Sequence, residues 1–242
     1  FVALREMLAQ HQVYIGPMSP DELRRAIEEP ARIGGWTFEP GLVDLILDDV
    51  GDEPGALPLL SHALLETWRQ RRSRTLTFAS YVEAGGVRGA IARTAETTYE
   101  QLTPGQQAIA RSIFLRLTEL GEDTQDTRRR AELSEFIPHP GEAPAVEQVL
   151  RTLADARLIT MDKGSVEVAH EALLREWRRL RSWLGESRGD VRTLHMLSQA
   201  AADWQYSGQD DSYLLRGSRL DLFAGWAAGS SITMTERERE FL

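Results

Sequence analysis

A single histidine sits where a short alternating run meets an amphipathic helix, in Val166-Glu167-Val168-Ala169-His170-Glu171-Ala172-Leu173-Leu174-Arg175-Glu176-Trp177. An imidazole held by regular structure on both sides can donate to a phosphate or carboxylate, and it titrates near neutral pH. The same position also suits an ordinary residue at a helix start. A second candidate surface is Gly55-Ala56-Leu57-Pro58-Leu59-Leu60, where Pro58 falls in the first turn of a predicted helix. Proline costs little there, because that N–H has no intrahelical partner. Its ring, flanked by leucines, is a flat apolar face on which an aromatic ligand could rest; the plain alternative is a helix start packed into a core.

Several chemistries are excluded. The zincin pattern needs a second histidine four residues after His170, and that position is Leu174. His11, His62, His139 and His195 are scattered over unrelated elements and give no metal-ligand spacing. Cysteine is absent, which removes disulfides, thiolate metal sites and a cysteine nucleophile. The one lysine, Lys163, lies in Asp162-Lys163-Gly164-Ser165, outside any phosphate-cradling glycine loop. No nucleophile elbow or dinucleotide-binding glycine motif occurs. Leu45-Ile46-Leu47-Asp48-Asp49 resembles an apolar strand ending in magnesium-positioning acids, but its spacing reads better as helix. Asp48, Asp49, Asp52 and Glu53 then become a solvated helix end.

These residues must be positioned by a mainly α chain. Ser19-Pro20-Asp21-Glu22 is a helix start with a capping box, and that helix is predicted to end at Pro30. A strand is expected at Gln12–Ile15 and a helix from Pro40 to Val50. Further helices are expected through Leu64 and Trp68, from Gly89 to Leu102, and from Thr103-Pro104. Val146, Val149, Leu150 and Leu153 form a core stripe at helical spacing. A short helix over Ala131–Phe136 precedes that stripe, and a hairpin turning at Asp162-Lys163-Gly164 follows it. The order of helix, short helix, helix and hairpin is that of a winged helix-turn-helix. Helices from His170 to Leu184, Val191 to Tyr206, Ser218 to Trp226 and Thr235 onward complete the chain.

Winged helices often bind DNA. Here the third helix would expose Glu147, Gln148, Arg151, Thr152 and Asp155, and the chain carries a net charge of −9. Groove recognition needs a basic footprint, so DNA contact is disfavoured, although a winged-helix transcriptional regulator stays as the alternative reading. No apolar run approaches the roughly 18 residues that cross a bilayer, and no signal peptide is visible. A cytoplasmic location is expected. The chain opens on Phe1, not Met, so it reads as a segment of a longer protein.

Taken together, Met18-Ser19-Pro20-Asp21-Glu22-Leu23, the Gly55-to-Leu60 run, Gly85-Gly86-Val87, Ala95-Glu96-Thr97-Thr98-Tyr99-Glu100-Gln101-Leu102 and His170-to-Trp177 resemble the bacterial novel-STAND NTPases, relatives of NB-ARC and NACHT proteins. The resemblance implies an end of the nucleotide-binding core at 1–17, a helical lid at 18–84, a winged helix at 85–185 and a second helical domain at 186–242. It implies ATP/ADP as ligand, with Mg2+ held by a P-loop core upstream, so that this segment is not catalytic alone. Gly55, Leu57 and Pro58 would lie at the adenine, and His170 would contact the β-phosphate of ADP in a closed state. Glu171 stands where the related motif has Asp, which alters its reach. Signal transduction, homo-oligomerisation on activation and a C-terminal WD-repeat sensor are further implications. A purely structural adaptor that keeps the scaffold without nucleotide is the remaining rival.

Overall fold

The computed structural model describes residues 16, 18–51, 56–71, 73–121, 125–230 and 232–242. The strand expected at Gln12–Ile15 lies outside them. The chain divides into two compact units, Phe1–Val87 and Arg88–Leu242. It is mainly helical, with short strands.

In the first unit, α1 (Pro20–Ile33) begins with the expected capping box, in which Ser19 Oγ accepts from the Glu22 amide and the Ser19 amide donates 2.8 Å to Glu22 Oε2. Leu23 and Ile27 form its buried stripe. The helix runs one turn past Pro30, where the sequence suggests a stop. Proline removes only its own N–H from the ladder. The Pro30 carbonyl accepts from Gly34 N at 3.0 Å and the Ala31 carbonyl from Trp36 N at 2.8 Å, so the last turn is satisfied. Strand β1 (Thr37–Phe38) pairs in parallel with β2 (Thr75–Leu76). Between them lie α2 (Leu42–Val50) and α3 (Ala56–Arg69), and α4 (Phe78–Ala84) follows. Leu45 to Asp49 is helical, as its spacing indicates. Asp49 is not a free solvated end, however: it accepts a 2.6 Å hydrogen bond from the Tyr81 hydroxyl, which accepts in turn from the Val87 amide. Burial, with this carboxylate partner, raises the Tyr81 pKa.

The helix α5 (Gly86–Glu100) leads into the second unit. Thr103 caps α6 (Pro104–Arg116) with a capping box closed by Gln106. Two small sheets follow: β3 (Thr118–Glu119) with β4 (Thr127–Arg128), and β5 (Ala131–Glu132) with the hairpin β6 (Ile159–Asp162) and β7 (Ser165–Val168). In the three-stranded sheet the order is β5-β7-β6. The expected helix over Ala131–Phe136 is instead strand β5 followed by a 3-10 turn, Leu133–Phe136. Helix α7 (Ala143–Asp155) buries Val146, Val149, Leu150 and Leu153, as the stripe requires. The hairpin turn places Lys163 and Gly164 at positive φ.

After the hairpin the structure departs from the expected helix pair. A short α8 (Ala172–Glu176) ends at Trp177, whose φ of −80° and ψ of 105° are extended. A single helix α9 (Arg178–Tyr206) then continues through Gly185 and Gly189. Each interior glycine costs about 1 kcal/mol. A buried stripe from Leu180 through Leu184, Val191, Leu194, Leu197 and Ala201 offsets that cost and keeps the helix whole. Residues 185 and 186, an expected domain boundary, therefore lie inside one helix. Helices α10 (Ser218–Gly229) and α11 (Glu236–Phe241) close the chain. Leu215, Phe223 and Phe241 cover the α9 face of Leu197, Ala201 and Trp204.

Candidate functional site

His170 is built from both of its flanks. On the strand side, the Ala169 amide donates 3.0 Å to the Leu158 carbonyl, which fixes the exit of β7 on its hairpin partner. On the helix side, the His170 carbonyl accepts 3.0 Å from the Leu173 amide and so starts the first turn of α8. Leu173 and Leu174 of that turn are buried, while His170 is half-buried and Glu171 exposed. The backbone at the joint is thereby pinned, and the imidazole keeps part of its surface.

The residue that ends α8 anchors the segment after the joint. Trp177 is 2% exposed and packs edge-on against Tyr99, Phe114 and Trp183, with ring centroids 6.1, 5.1 and 5.3 Å away. Its indole N–H donates 2.7 Å to Glu96 Oε2. Arg179 binds both oxygens of the same Glu96 and lies over the Tyr99 ring, its guanidinium 4.6 Å from the centroid. The hydrogen bond from Arg179 holds the Glu96 carboxyl below the usual range against the opposing effect of burial, and the Trp177 bond adds to it. Arg179 is thus held by Glu96 and Tyr99 while its side chain stays partly exposed. Arg175, Arg178 and Arg181 are exposed.

In the first unit, Leu57 and Pro58 occupy the first turn of α3 and both are exposed, while Ala56, Leu59 and Leu60 are buried. Leu57 lines an apolar cleft of about 710 Å³ together with Leu23, Ile27, Leu60, Trp36 and Trp68. Pro58 is outside that lining. Gly55 lies outside the described residues. Leu57 and Pro58 are therefore adjacent, and His170 belongs to the other unit.

Three arrangements were not anticipated. Arg71 stacks on both Trp36 and Trp68, two residues of the cleft lining, 4.4 and 3.7 Å from their ring centroids. The Glu96–Arg179 pair anchors the segment that follows His170. Arg116, 1% exposed, makes a bidentate ion pair with Glu238, 0% exposed, at 2.8 and 2.9 Å. Only the last left a trace in the sequence: Arg116 interrupts the apolar run Ile113-Phe114-Leu115-Leu117, and a cation so placed requires a buried carboxylate.

Near that pair lies a polar pocket of about 460 Å³ that includes Glu119, Arg129, His195 and Arg219. Burial, then the charges of Arg129 and Arg116, push the His195 pKa down to about 4. Among the described residues, no helix is long and apolar enough to cross a membrane.

Comparison with known families assigns the chain to the STAND class of NTPases, with the role in signalling that the class carries. Within that class it belongs to the family described as Novel STAND NTPase 1, whose model matches residues 1–212. No curated protein and no solved structure matches it.

Proposed function

We propose that this chain is the lid and winged-helix segment of a STAND-type ATP/ADP switch, which favours an ADP-holding, unassembled state. The observation that carries the proposal is the pinned His170 joint. The backbone is hydrogen-bonded into the hairpin on one side and α8 on the other, and α8 is anchored by the buried Leu173, Leu174 and Trp177. A group whose position is fixed in advance loses little entropy when it meets a ligand.

The surrounding elements support the winged-helix reading. Helices α6 and α7, with β5 and the 3-10 turn between them, precede the hairpin β6–β7, which pairs with β5 and forms the wing. His170 leaves the wing at its last strand. In the first unit, α1 to α4 supply the lid, and the exposed first turn of α3 presents Leu57 and Pro58.

These residues fit an adenine nucleotide in chemical terms. Pro58 offers an exposed ring to the base, with Leu57 beside it, and His170 offers an imidazole N–H to a phosphate oxygen. Bound nucleotide supplies the difference in free energy between the two states of the switch. One such bond from a charged or polarised donor contributes about 1.5–3 kcal/mol, equivalent to roughly 10- to 100-fold in affinity. This bias holds a population without any hydrolysis by this segment. A P-loop core upstream, with Mg2+, and assembly of several copies after ADP is replaced belong to the same proposal.

DNA binding draws no support from α7, where Arg151 is engaged by Glu147 at 3.0 Å and Asp155 adds a further negative charge. The deciding experiment measures nucleotide carried by the full-length protein. His170→Ala is expected to lower ADP retention and to promote assembly, whereas Arg151→Ala leaves both unchanged.

A further inference from the structure

The matched family segment ends at residue 212, yet α11 reaches back into the centre of the second unit. A six-residue helix cannot hold itself in water. Helix α11 is held instead by Phe241, 3% exposed, and by Glu238, which is fully buried. The Glu238 carboxylate accepts both Arg116 bonds, the Ser198 hydroxyl and the Thr235 amide. Arg116 also donates 2.9 Å to the Thr233 carbonyl in the approach to α11. Should Glu238 leave, it abandons a buried guanidinium, so partly released states are penalised. The strap is therefore close to all-or-none.

From Arg116 the contacts continue toward the wing. The Arg116 carbonyl accepts 3.1 Å from Arg129 Nη1. Arg129 Nη2 donates 2.8 Å to Glu135 Oε2, and Glu135 Oε1 accepts 2.9 Å from the Glu132 amide. Glu132 is in β5, in register with Ser165 of β7. Strand β7 ends two residues before His170. Contacts thus run from α11 to β7, charge-assisted as far as the Glu132 amide and then through the pairing of β5 with β7.

We propose that α11 is a control strap for the His170 joint: its docking through Glu238 stiffens β5 and β7, and its release loosens the strand that positions His170. The consequence for nucleotide rests on the function proposed above, but the coupling itself does not. A docked strap favours the pinned histidine; an event that pulls α11 away weakens it without touching the ligand. Such coupling is a measurable interaction between the two ends of the contact chain.

Amide hydrogen exchange on the chain without nucleotide supplies that measurement. Glu238→Gln is expected to accelerate exchange at Glu132 and Val166 by about tenfold or more, with α1 to α3 unchanged. Faster exchange confined to α10 and α11 would overturn the proposal. Ser198→Ala removes one donor from the same carboxylate, and it is expected to give the same pattern at smaller amplitude should Glu238→Gln lose the fold. Arg129→Met cuts the chain midway. Its effect on β7 exchange should be non-additive with that of either variant, and strict additivity would refute the route through Arg129. A negative result here leaves His170 as a phosphate contact intact, because no nucleotide enters the measurement.

Discussion

Arg116 and Glu238 stand 122 residues apart in the chain and meet in a bidentate ion pair at 2.8 and 2.9 Å, the two residues 1% and 0% exposed. Burial raises the carboxyl pKa, but the hydrogen bonds and charge of Arg116, helped by Ser198 and Thr235, override it and hold Glu238 down to about 2. The pair ties α6 and α11 together, with Ser198 of α9 on the same carboxylate.

Breaking one side of this pair is expected to cost about 3–5 kcal/mol, since the remaining charge stays buried. Arg116→Met should therefore lower the urea midpoint strongly. Replacing both groups, as Arg116→Met with Glu238→Leu, should recover most of the loss. A double variant as unstable as the sum of its single variants would contradict this account of the pair.

Acid should unfold the second unit in two stages. The folded His195 pKa, at about 4, lies below its ordinary 6.5, so the unfolded chain binds the extra proton first. Stability is then lost as pH falls from about 6.5 to 4, by on the order of 3 kcal/mol. The groups facing His195 include Arg116, Arg129, Glu119 and Glu135. Glu238 is depressed from 4.5, so its contribution is complete above that value and is lost from about pH 4.5 down toward 2. Thermal melts across this range should show both stages, and His195→Gln should flatten the first alone.

Trp177 should matter more as a ring than as a donor. Trp177→Phe keeps the packing with Phe114 and Trp183 and removes the bond to Glu96, at an expected cost of about 1 kcal/mol. Trp177→Ala opens a cavity among Tyr99, Phe114 and Trp183 at the end of α8 and should cost about 3–5 kcal/mol. Equal losses in denaturant titrations would show that packing around Trp177 is not what holds the end of α8.

What was legible in the sequence was local. The capping box at Ser19, the helix start at Thr103-Pro104 and the stripe from Val146 to Leu153 depend on residues within one or two turns, and all three are present. The break at Trp177 was hidden because its cause is tertiary: Tyr99, Phe114 and Glu96 draw the ring inward from other helices. Helix α1 passes Pro30 because later donors satisfy its last turn. Asp49 gained a tyrosine partner 32 residues away, which no periodicity shows. For the site, the joint at His170 could be read from a strand pattern meeting a helix pattern. Its anchoring by Glu96 and Arg179 required the fold.

Pro58 separates fold from ligand. It is exposed, so Pro58→Ala should change the stability of the chain by no more than about 0.5 kcal/mol. If the ring rests on a base, the same variant should weaken nucleotide retention by the full-length protein. Full retention, measured by chromatography of released nucleotide, would remove Pro58 from the site.

The central claim is that His170 holds a phosphate and so favours the closed state. Its most direct measurement is the ADP released from purified full-length protein and from its His170→Ala variant after equal dialysis. The account predicts ADP bound to the parent protein and an affinity lower by roughly 10- to 100-fold in the variant, with its fold retained. Equal ADP content in both would contradict it.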